Sequence, residues 1–510
     1  MVDVTLERYL TGGIRLLANK TASTEEPILR DIVPPQLVIA LHQHGGASAI
    51  PIVKVGQDVA KGEPIAIPES PPSAGVHASS SGRVRAIETR LIPTGKRLRE
   101  SLCIVLDTDG EDRPFDPGPA GAWPQGREAR LERVRSAGIA GLGGAAFPTA
   151  TKLERVAGRC KTLIVNGAEC EPYISCDDML MREAPAEIVS GALEMADLVG
   201  APLCIIAIER DKPRALHAIR DAAITAADPR LKVCEIPTVY PAGGERQLIE
   251  LLTGDEVPSG AFPYAIGYVC QNVGTAYALH RLATRGEPVT SRIVTVTGGG
   301  VDRPRNVEAP IGTPIGYLVE RCGGYRDDVV RLIHGGSMMG YTLPSDDIPI
   351  TKATSCIIAA TSGEIRQSYE EWACIRCGDC ATACPARLQP QELLVAATAR
   401  DFDALESLGL DDCIECGCCD VVCPSHIVLT DRFRHAKRLY AEHARRLALS
   451  AEAELRHKRR EQRLRLSEEG SRAAQEALKA KLRADNEARR KAIAAAVERA
   501  RQRKRRDVQP

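Results

Sequence analysis

The chain has 510 residues, 44% of them hydrophobic and 26% charged, with aromatics at only 4%. That length exceeds one core and predicts roughly three or four domains packed with aliphatic side chains. No apolar run reaches the ~20 residues of a membrane-spanning helix, and the opening MVDVTLERYL lacks the basic start and apolar stretch of a secretory signal, so the expected location is cytoplasmic. The formal net charge of 0 conceals an asymmetry. Residues 431–510 carry 25 Lys+Arg against 12 Asp+Glu, a net +13 that leaves −13 on the rest, which points to different partners for the two regions. Of the 18 cysteines, nine are scattered between Cys103 and Cys356 and nine crowd into Cys374–Cys423. Dense cysteine without an export signal indicates metal, not disulfides, and the scattered nine read as buried fillers.

In chain order, residues 1–120 predict a small all-β unit, with strand-like runs at Leu37–Leu41, Ile52–Val55, Pro64–Ile67, Arg83–Ile87 and Leu102–Leu106. VKVGQDVAKGEPIAI (53–67) and VHASSSGRVRAIE (76–88) resemble the two halves of a lipoyl/biotinyl-type barrel sandwich. The matching hairpin tip, PESPPSAG (68–75), has no lysine to modify, so a scaffold is expected and not a swinging arm. Pro114–Gly126 reads as a linker. Over residues 121–290, a helix at Arg127–Ala137, a strand at Thr162–Val165, a helix at Ala184–Leu198 and a strand at Leu203–Ile208 imply an α/β domain with a largely parallel sheet. Residues 291–345 are strand-like and glycine-rich and resemble a small β-grasp ligand-binding domain. Residues 365–430 read as a helical module around the cysteine motifs. Residues 431–510 read as a basic, Ala-rich, solvated tail, helical or disordered, with sparse apolar positions and no heptad repeat.

CIRCGDCATACP sets Cys374, Cys377, Cys380 and Cys384 in a C-x2-C-x2-C-x3-C-P pattern, and CIECGCCDVVCP repeats it with Cys413, Cys416, Cys419 and Cys423. Three cysteines at steps of three wrap one cubane, and the fourth turns toward the other cluster. The predicted sets are therefore Cys374, Cys377, Cys380 and Cys423 for the first cluster and Cys413, Cys416, Cys419 and Cys384 for the second. Paired zinc knuckles compete with this reading; four thiolates per repeat, the following prolines and the duplication speak against them. Cys418 lies outside the pattern and reads as a filler, with an alternative ligand or redox thiol as the other reading.

AGIAGLGGAAFPTATKL (137–153) contains the weak G-x-G-x-x-A match Gly141, Gly143, Gly144 and Ala146, leading into a helix that carries Lys152. A glycine turn feeding a helix makes an anion site from backbone amides. Lys152 is either a phosphate partner or a solvated side chain. NGAECEP (166–172), YPAGGERQL (240–248) and CQNVGTA (270–276) follow, and together these segments resemble the flavin-bearing, NADH-oxidising subunit of respiratory complex I. The resemblance implies FMN and nucleotide at Gly141, Gly143, Gly144 and Lys152, with Asn166, Glu169, Glu171, Tyr240, Gly243, Glu245, Asn272 and Thr275 lining the pocket. Ala146 stands where that family has glycine, and Ala168 and Gly244 where it has acids.

The order of parts, with HGGSMMG (334–340), resembles the RnfC family of the Rnf (Rsx) electron-transport complexes over about residues 1–435. The fold class expected is multidomain α/β: barrel sandwich, FMN/NADH-binding domain, β-grasp, two-cluster ferredoxin module and charged helical tail. The resemblance implies a peripheral protein on the cytoplasmic face of the bacterial inner membrane. It would pass electrons between NAD(H), FMN and two [4Fe–4S] clusters, beside membrane-embedded and ferredoxin-like partner subunits of a translocase-type ferredoxin:NAD oxidoreductase. No catalytic acid or base is required, because hydride moves directly to a flavin. A flavin-free ferredoxin-like relay and a scaffold within the same kind of complex are the alternatives. Nucleic acid is not an expected partner, since only Phe433 and Tyr440 are aromatic after the clusters; the tail's basic charge suits an anionic membrane or an acidic neighbour in the complex.

Overall fold

The computed structural model describes residues 3–506 apart from 5, 7, 119–121, 145, 157 and 366–368. The chain divides into two units, residues 1–434 and residues 435–510. In the first unit, β1 (Asp3–Val4) is an edge strand of the α/β domain, and the barrel sandwich follows. Strands β2 (Gln36–Ala40), β4 (Asp58–Val59), β7 (Gly82–Pro93) and β8 (Leu98–Thr108) form one sheet in the order β2-β8-β7-β4. A second sheet holds β3 (Ala49–Pro51), β5 (Pro64–Pro68) and β6 (Val76–His77), with β5 central. Leu37, Ile39, Val84, Ile104 and Leu106 alternate inward between the sheets. The run expected as a strand at Ile52–Val55 lies past the end of β3 instead: Ile52 N still donates to Ile65 O of β5 at 3.0 Å and Val53 is buried, but the chain then leaves the ladder and enters a turn at Val55.

The α/β domain opens with α1 (Arg127–Ser136) and α2 (Thr149–Val156). It continues through β9 (Thr162–Gly167), α3 (Cys176–Glu183), α4 (Pro185–Val199), β10 (Cys204–Glu209), α5 (Pro213–Ala226), β11 (Leu231–Ile236), α6 (Glu245–Thr253), β12 (Tyr268–Asn272) and α7 (Val273–Arg285). All pairings are parallel, in the order β1-β11-β10-β9-β12. β10 (CIIAIE) is buried at every position, as an apolar run in a parallel sheet covered on both faces must be. Proline starts α4, and Gly200 ends it in the left-handed conformation. After β9 the chain builds outward through β10 and β11, then returns to the other side of β9 as β12. The order reverses between β9 and β12, and such a switch point opens a crevice at the carboxyl ends of the strands.

A second five-stranded sheet holds β13 (Ser291–Thr297), β14 (Arg305–Pro310), β15 (Val329–His334), β16 (Tyr341–Thr342) and β17 (Cys356–Thr361), with α8 (Ile315–Arg321) packed over its buried Val294, Val296 and Ile357. The cysteine module uses four short helices: α9 (Asp379–Thr382), α10 (Pro390–Ala399), α11 (Phe402–Ser407) and α12 (Cys418–Val422). Helix α13 runs from Leu429 to Arg506. In the second unit it is exposed along nearly its whole length, with single apolar side chains such as Leu447, Leu464, Leu482 and Ile493 facing solvent. All 18 cysteines are free, and eight of the scattered nine are buried, Cys170 being partly so.

Lys352, in the turn between β16 and β17, is fully buried and fastens three parts of the first unit together. Its Nζ donates to the Gly138 carbonyl at 2.6 Å and the Gly75 carbonyl at 3.3 Å, so the lysine-free hairpin tip of the barrel sandwich receives a lysine from elsewhere in the chain. These partners are neutral. Burial therefore pulls the ammonium down from 10.5 to about 7. Between pH 7 and 10.5 the unfolded chain holds a proton that the folded chain releases, so this lysine makes stability rise with pH through that window. The unfolding midpoint, followed anaerobically from pH 7 to 9, is expected to climb more steeply in the wild type than in Lys352→Met; equal slopes would contradict the assignment.

Candidate functional site

The glycine segment, the end of β9 and the start of α7 converge on the β9/β12 crevice. Gly141 N donates to Phe147 O at 2.8 Å, which closes the loop on itself. Gly143 lies against Asn272: a Cβ there would stand 3.1 Å from the Asn272 Cβ. Gly144, at φ +96°, has open space where a side chain would project, so it offers bare backbone to the crevice. Ala146 adopts φ +45°, the left-handed conformation that a glycine holds without strain. This is the physical content of the departure at that position.

Asn272 is the N-cap of α7. Its Oδ1 accepts from Gly274 N at 2.8 Å and its Nδ2 donates to Asp177 Oδ2 at 2.6 Å. Burial, then the neighbouring Glu169 carboxylate, pushes Asp177 up to about 7, opposed by the Asn272 amide. Thr275 Oγ1 accepts from Leu142 N at 3.0 Å, holding the glycine loop over the helix N-terminus. Asn166 bridges the other wall: its Nδ2 donates to Gly243 O at 2.9 Å and its Oδ1 accepts from Ala168 N at 2.9 Å. Gly243 has to be glycine here, because a Cβ would collide with the Ala168 carbonyl. Lys152 spans α2 to α6 and β12, donating to Glu245 Oε1 at 2.5 Å and Cys270 O at 2.6 Å.

Three of the sequence-selected residues face elsewhere. The Glu169 carboxylate accepts from Asp177 N at 2.9 Å and Asp178 N at 3.3 Å, so it satisfies the free amides at the start of α3. Glu171 accepts from Met338 N at 2.9 Å and Met339 N at 2.7 Å; burial raises its pKa and those two amides oppose the rise. HGGSMMG is thereby bound to the flavin-type domain by a carboxylate. Tyr240 is buried and its hydroxyl donates to Cys416 O at 2.7 Å, directly in the second cysteine motif. Sequence reasoning missed Asp177, Arg292 and Lys20. Arg292 donates to the carbonyls of Leu142 and Lys352 from a buried position, and Lys20 donates to the Glu169 carbonyl. Single basic or acidic residues outside a motif carry no signal of that kind.

The cysteines fall into two groups. Cys374, Cys377, Cys380 and Cys423 line one recess of about 380 Å³, with Gln391, Leu394 and Ile427. Burial raises the Cys384 thiol and Cys416 adds to the rise; burial likewise raises Cys419, with Asp420, Cys416 and Cys413 adding. Cys384 and Cys419 thus each lie near Cys416, and Cys413 near Cys419, a grouping compatible with the crossed pattern. Four thiolates on one zinc at about 2.3 Å lie roughly 3.8 Å apart. Among the described residues no three of these cysteines have their sulfurs within 4.8 Å of one another; the single such group anywhere is Glu169, Cys176 and Asp177. Two sets of four thiols are the donor complement of two four-iron cubes. Cys418 lies outside both sets, fully buried beside Cys416, its thiol donating to Tyr240 O at 3.9 Å.

A switch-point crevice walled by bare glycine backbone, followed along the chain by two four-cysteine sets, is the layout of a flavin-binding domain joined to an iron–sulfur module. Four domain families match in chain order: the RnfC barrel sandwich hybrid domain over residues 9–111, the Nuo51 FMN-binding domain over 134–281, the SLBB domain over 293–342 and the 4Fe-4S dicluster domain over 373–428. Curated relatives, each named as the C subunit of an ion-translocating oxidoreductase complex, include one from Vibrio cholerae serotype O1, 45% identical over 79% of this chain and 52% of its own length. One from Pseudomonas aeruginosa is 43% identical over 90% and 59%, and one from Citrobacter koseri 40% identical over 98% and 70%. The chain belongs to this RnfC family of ion-translocating oxidoreductase complexes. It spans about half the length of the first of these relatives. Among solved structures, the NAD+-reducing [NiFe]-hydrogenase is similar in its H2-reduced state (21% identity, 63% of each chain, TM-score 0.42) and in its air-oxidized state (20%, 62% and 61%, 0.44). The cofactors are FMN and two [4Fe–4S] clusters, and the donor sets described above fit them.

Cys384→Ser is expected to damage the second repeat's cluster while the set of Cys374, Cys377, Cys380 and Cys423 stays loaded. Wild-type protein purified anaerobically should hold about eight iron and eight sulfide. Electron paramagnetic resonance with iron analysis decides this, and loss of the first repeat's cluster instead would break the crossed assignment.

Proposed function

We propose that this chain is the NADH-oxidising electron-input arm of a membrane-bound complex that couples ferredoxin:NAD electron transfer to ion translocation. One observation carries the reading: the crevice and the second cysteine motif share a wall. Tyr240 leaves the YPAGGERQL segment, buries its ring, and hydrogen-bonds the Cys416 carbonyl. Cys170 of NGAECEP, Tyr240, Cys416, Cys418 and Met338 pack in one apolar cluster. A bound flavin supplies the conversion between a two-electron hydride and one-electron carriers. The chain's own residues bind and orient. Gly143 and Gly144 with the N-terminus of α7 present amides to phosphate, the Gly141 amide closes the loop that carries them, Lys152 braces the rim through Glu245 and Cys270, and Asn166 with Gly243 shapes the wall. Glu169, Glu171 and Tyr240 hold that wall in register. No side chain here is assigned a proton transfer.

The family and the unit's architecture support a peripheral position on the cytoplasmic face of the inner membrane, held by partner subunits. No helix among the described residues is long and apolar enough to cross a membrane. Gly143→Val should abolish NADH-dependent reduction of the clusters, because its side chain meets Asn272 and fills the crevice. Dithionite should still reduce them. Normal NADH oxidation by the variant would place the nucleotide elsewhere, and a visible spectrum without flavin bands would remove the input role.

Helix α13 bears the excess positive charge, with RQRKRR (501–506) its densest run. Each basic residue near an anionic lipid surface contributes about 1 kcal/mol, screened by salt. Truncation after Leu439 is expected to leave cluster content and NADH oxidation intact and to lower membrane recovery, most at raised salt. Recovery equal to the full chain at every salt concentration would make the helix a solvating extension.

A further inference from the structure

The two cysteine sets differ in what covers them. Cys416, Cys418 and Cys419 are buried, the first two packed against Tyr240, Met338 and, from the N-terminal strap (residues 12–23), Ile14 and Leu16. Cys374 and Cys377 are exposed, and the recess they line opens to solvent. Its rim is apolar: Ile375 is 67% exposed, Trp372 66%, Tyr369 57% and Val395 56%. These side chains belong to one surface. Trp372 N donates to Ser425 O at 2.9 Å, Tyr369 stacks on His426 with ring centroids 4.6 Å apart, and Val395 follows Leu394, which lines the recess. An exposed apolar patch of this kind marks an interaction site. The charges flanking it are acidic on balance: Glu370, Glu371, Asp379 and Glu392 stand against Arg376 and Arg432, and Arg432 is paired with Glu371 at 2.9 Å.

We infer that the rim of Tyr369, Trp372, Ile375 and Val395 around the first cysteine set is the docking face for a one-electron carrier protein whose own redox centre is ringed by basic residues. The inference rests on the electron-carrier reading above and names the partner side of it. The enclosed second set adjoins the flavin crevice, so the open first set is the port to the outside. One electron passes per encounter: the cluster changes by one charge, the carrier by the opposite one, and no atom or proton moves. A compact apolar centre with an acidic border suits such a partner, because electron-transfer encounters bury less than about 1,200 Å² and rely on complementary charge for speed.

The probe is cytochrome c, a basic haem protein, added to the full-length chain with both clusters loaded. Binding is measured by calorimetry at low and raised salt. Reduction of cytochrome c is followed after the clusters have been reduced with dithionite and the excess removed. Wild-type binding should weaken as salt rises. Trp372→Lys and Glu370→Lys should each weaken binding and slow reduction about tenfold, with iron content, cluster spectrum and the rate with a small neutral quinone unchanged. Glu370 is exposed, so it keeps the test open if the tryptophan variant fails to load iron. Wild-type affinity in Glu370→Lys, or no cytochrome c binding at all, would overturn the inference. A wild-type dimer dissolved by these substitutions would give the face to a second copy of the chain; anionic vesicles released by them would give it to a membrane. Both would also overturn it. Because dithionite bypasses NADH, failure of the NADH reading leaves this result standing, and the reverse holds too.

Discussion

The first unit depends on backbone meeting backbone where no side chain fits. At the crevice, the turn at Gly95 between β7 and β8 presses on the Gly144 carbonyl, Gly243 on the Ala168 carbonyl, and Gly12 on the Cys384 carbonyl; a Cβ at any of these would collide. Each contact joins segments far apart in the chain. The barrel sandwich touches the glycine loop, the α6 turn touches the end of β9, and the N-terminal strap touches the cysteine module. Hydrogen bonds then lock the approach, as where Gly13 N reaches Ala383 O at 3.0 Å and Gly45 N reaches Ala146 O at 3.0 Å. Domains that could have been beads on a string are thereby set around one crevice.

Charge has a structural use at these seams before any functional one. Glu171 and Glu169 neutralise amide groups that would otherwise be buried without partners. Lys352 and Arg292 do the converse for carbonyls of Gly138, Gly75 and Leu142. Removing one member of such an arrangement leaves a buried polar group unpaired, which costs about 1–3 kcal/mol and more for a charge. Residues that resemble ligand-binding acids in sequence therefore also fasten the walls of the pocket. Orientation of Asn166, Gly243 and Asn272 relies on them.

Much of this was legible in the sequence because its signals are local. Cysteine spacing encodes a wrapped cluster, apolar runs such as CIIAI encode buried parallel strands, and proline or glycine punctuates α4 at both ends. The parts appear in the order their motifs predict. What was not legible is long-range. Nothing in TKATS distinguishes Lys352 from a surface lysine, and the strap at residues 12–23 carries no motif although Ser23 bonds Ser175 at 2.7 Å. Likewise, N-x-x-E-x-E-P marks the end of β9, yet both glutamates turn away from the crevice, Glu169 to the start of α3 and Glu171 to the loop at Met338. The segment Ile52–Val55 shows the opposite failure, strong local propensity where the chain leaves β5 after a single hydrogen bond from Ile52 to turn at Val55.

The asymmetry between the clusters follows from the same assembly. Cluster potentials respond to solvent exposure and to hydrogen bonds at the sulfurs. The two repeats are near copies in sequence, so their difference must come from what surrounds them. The second is walled by the flavin-type domain, by Met338 of the β15–β16 loop and by the N-terminal strap, with the buried Cys418 packed beside Cys416. The first has water and an apolar rim. Lys96, at the tip of the β7–β8 hairpin, adds a charge 3.8 Å from Glu415 inside the second motif, and no barrel-sandwich residue makes such a pair with the first motif among the described residues. A duplicated motif thus acquires two different surroundings through domain packing alone.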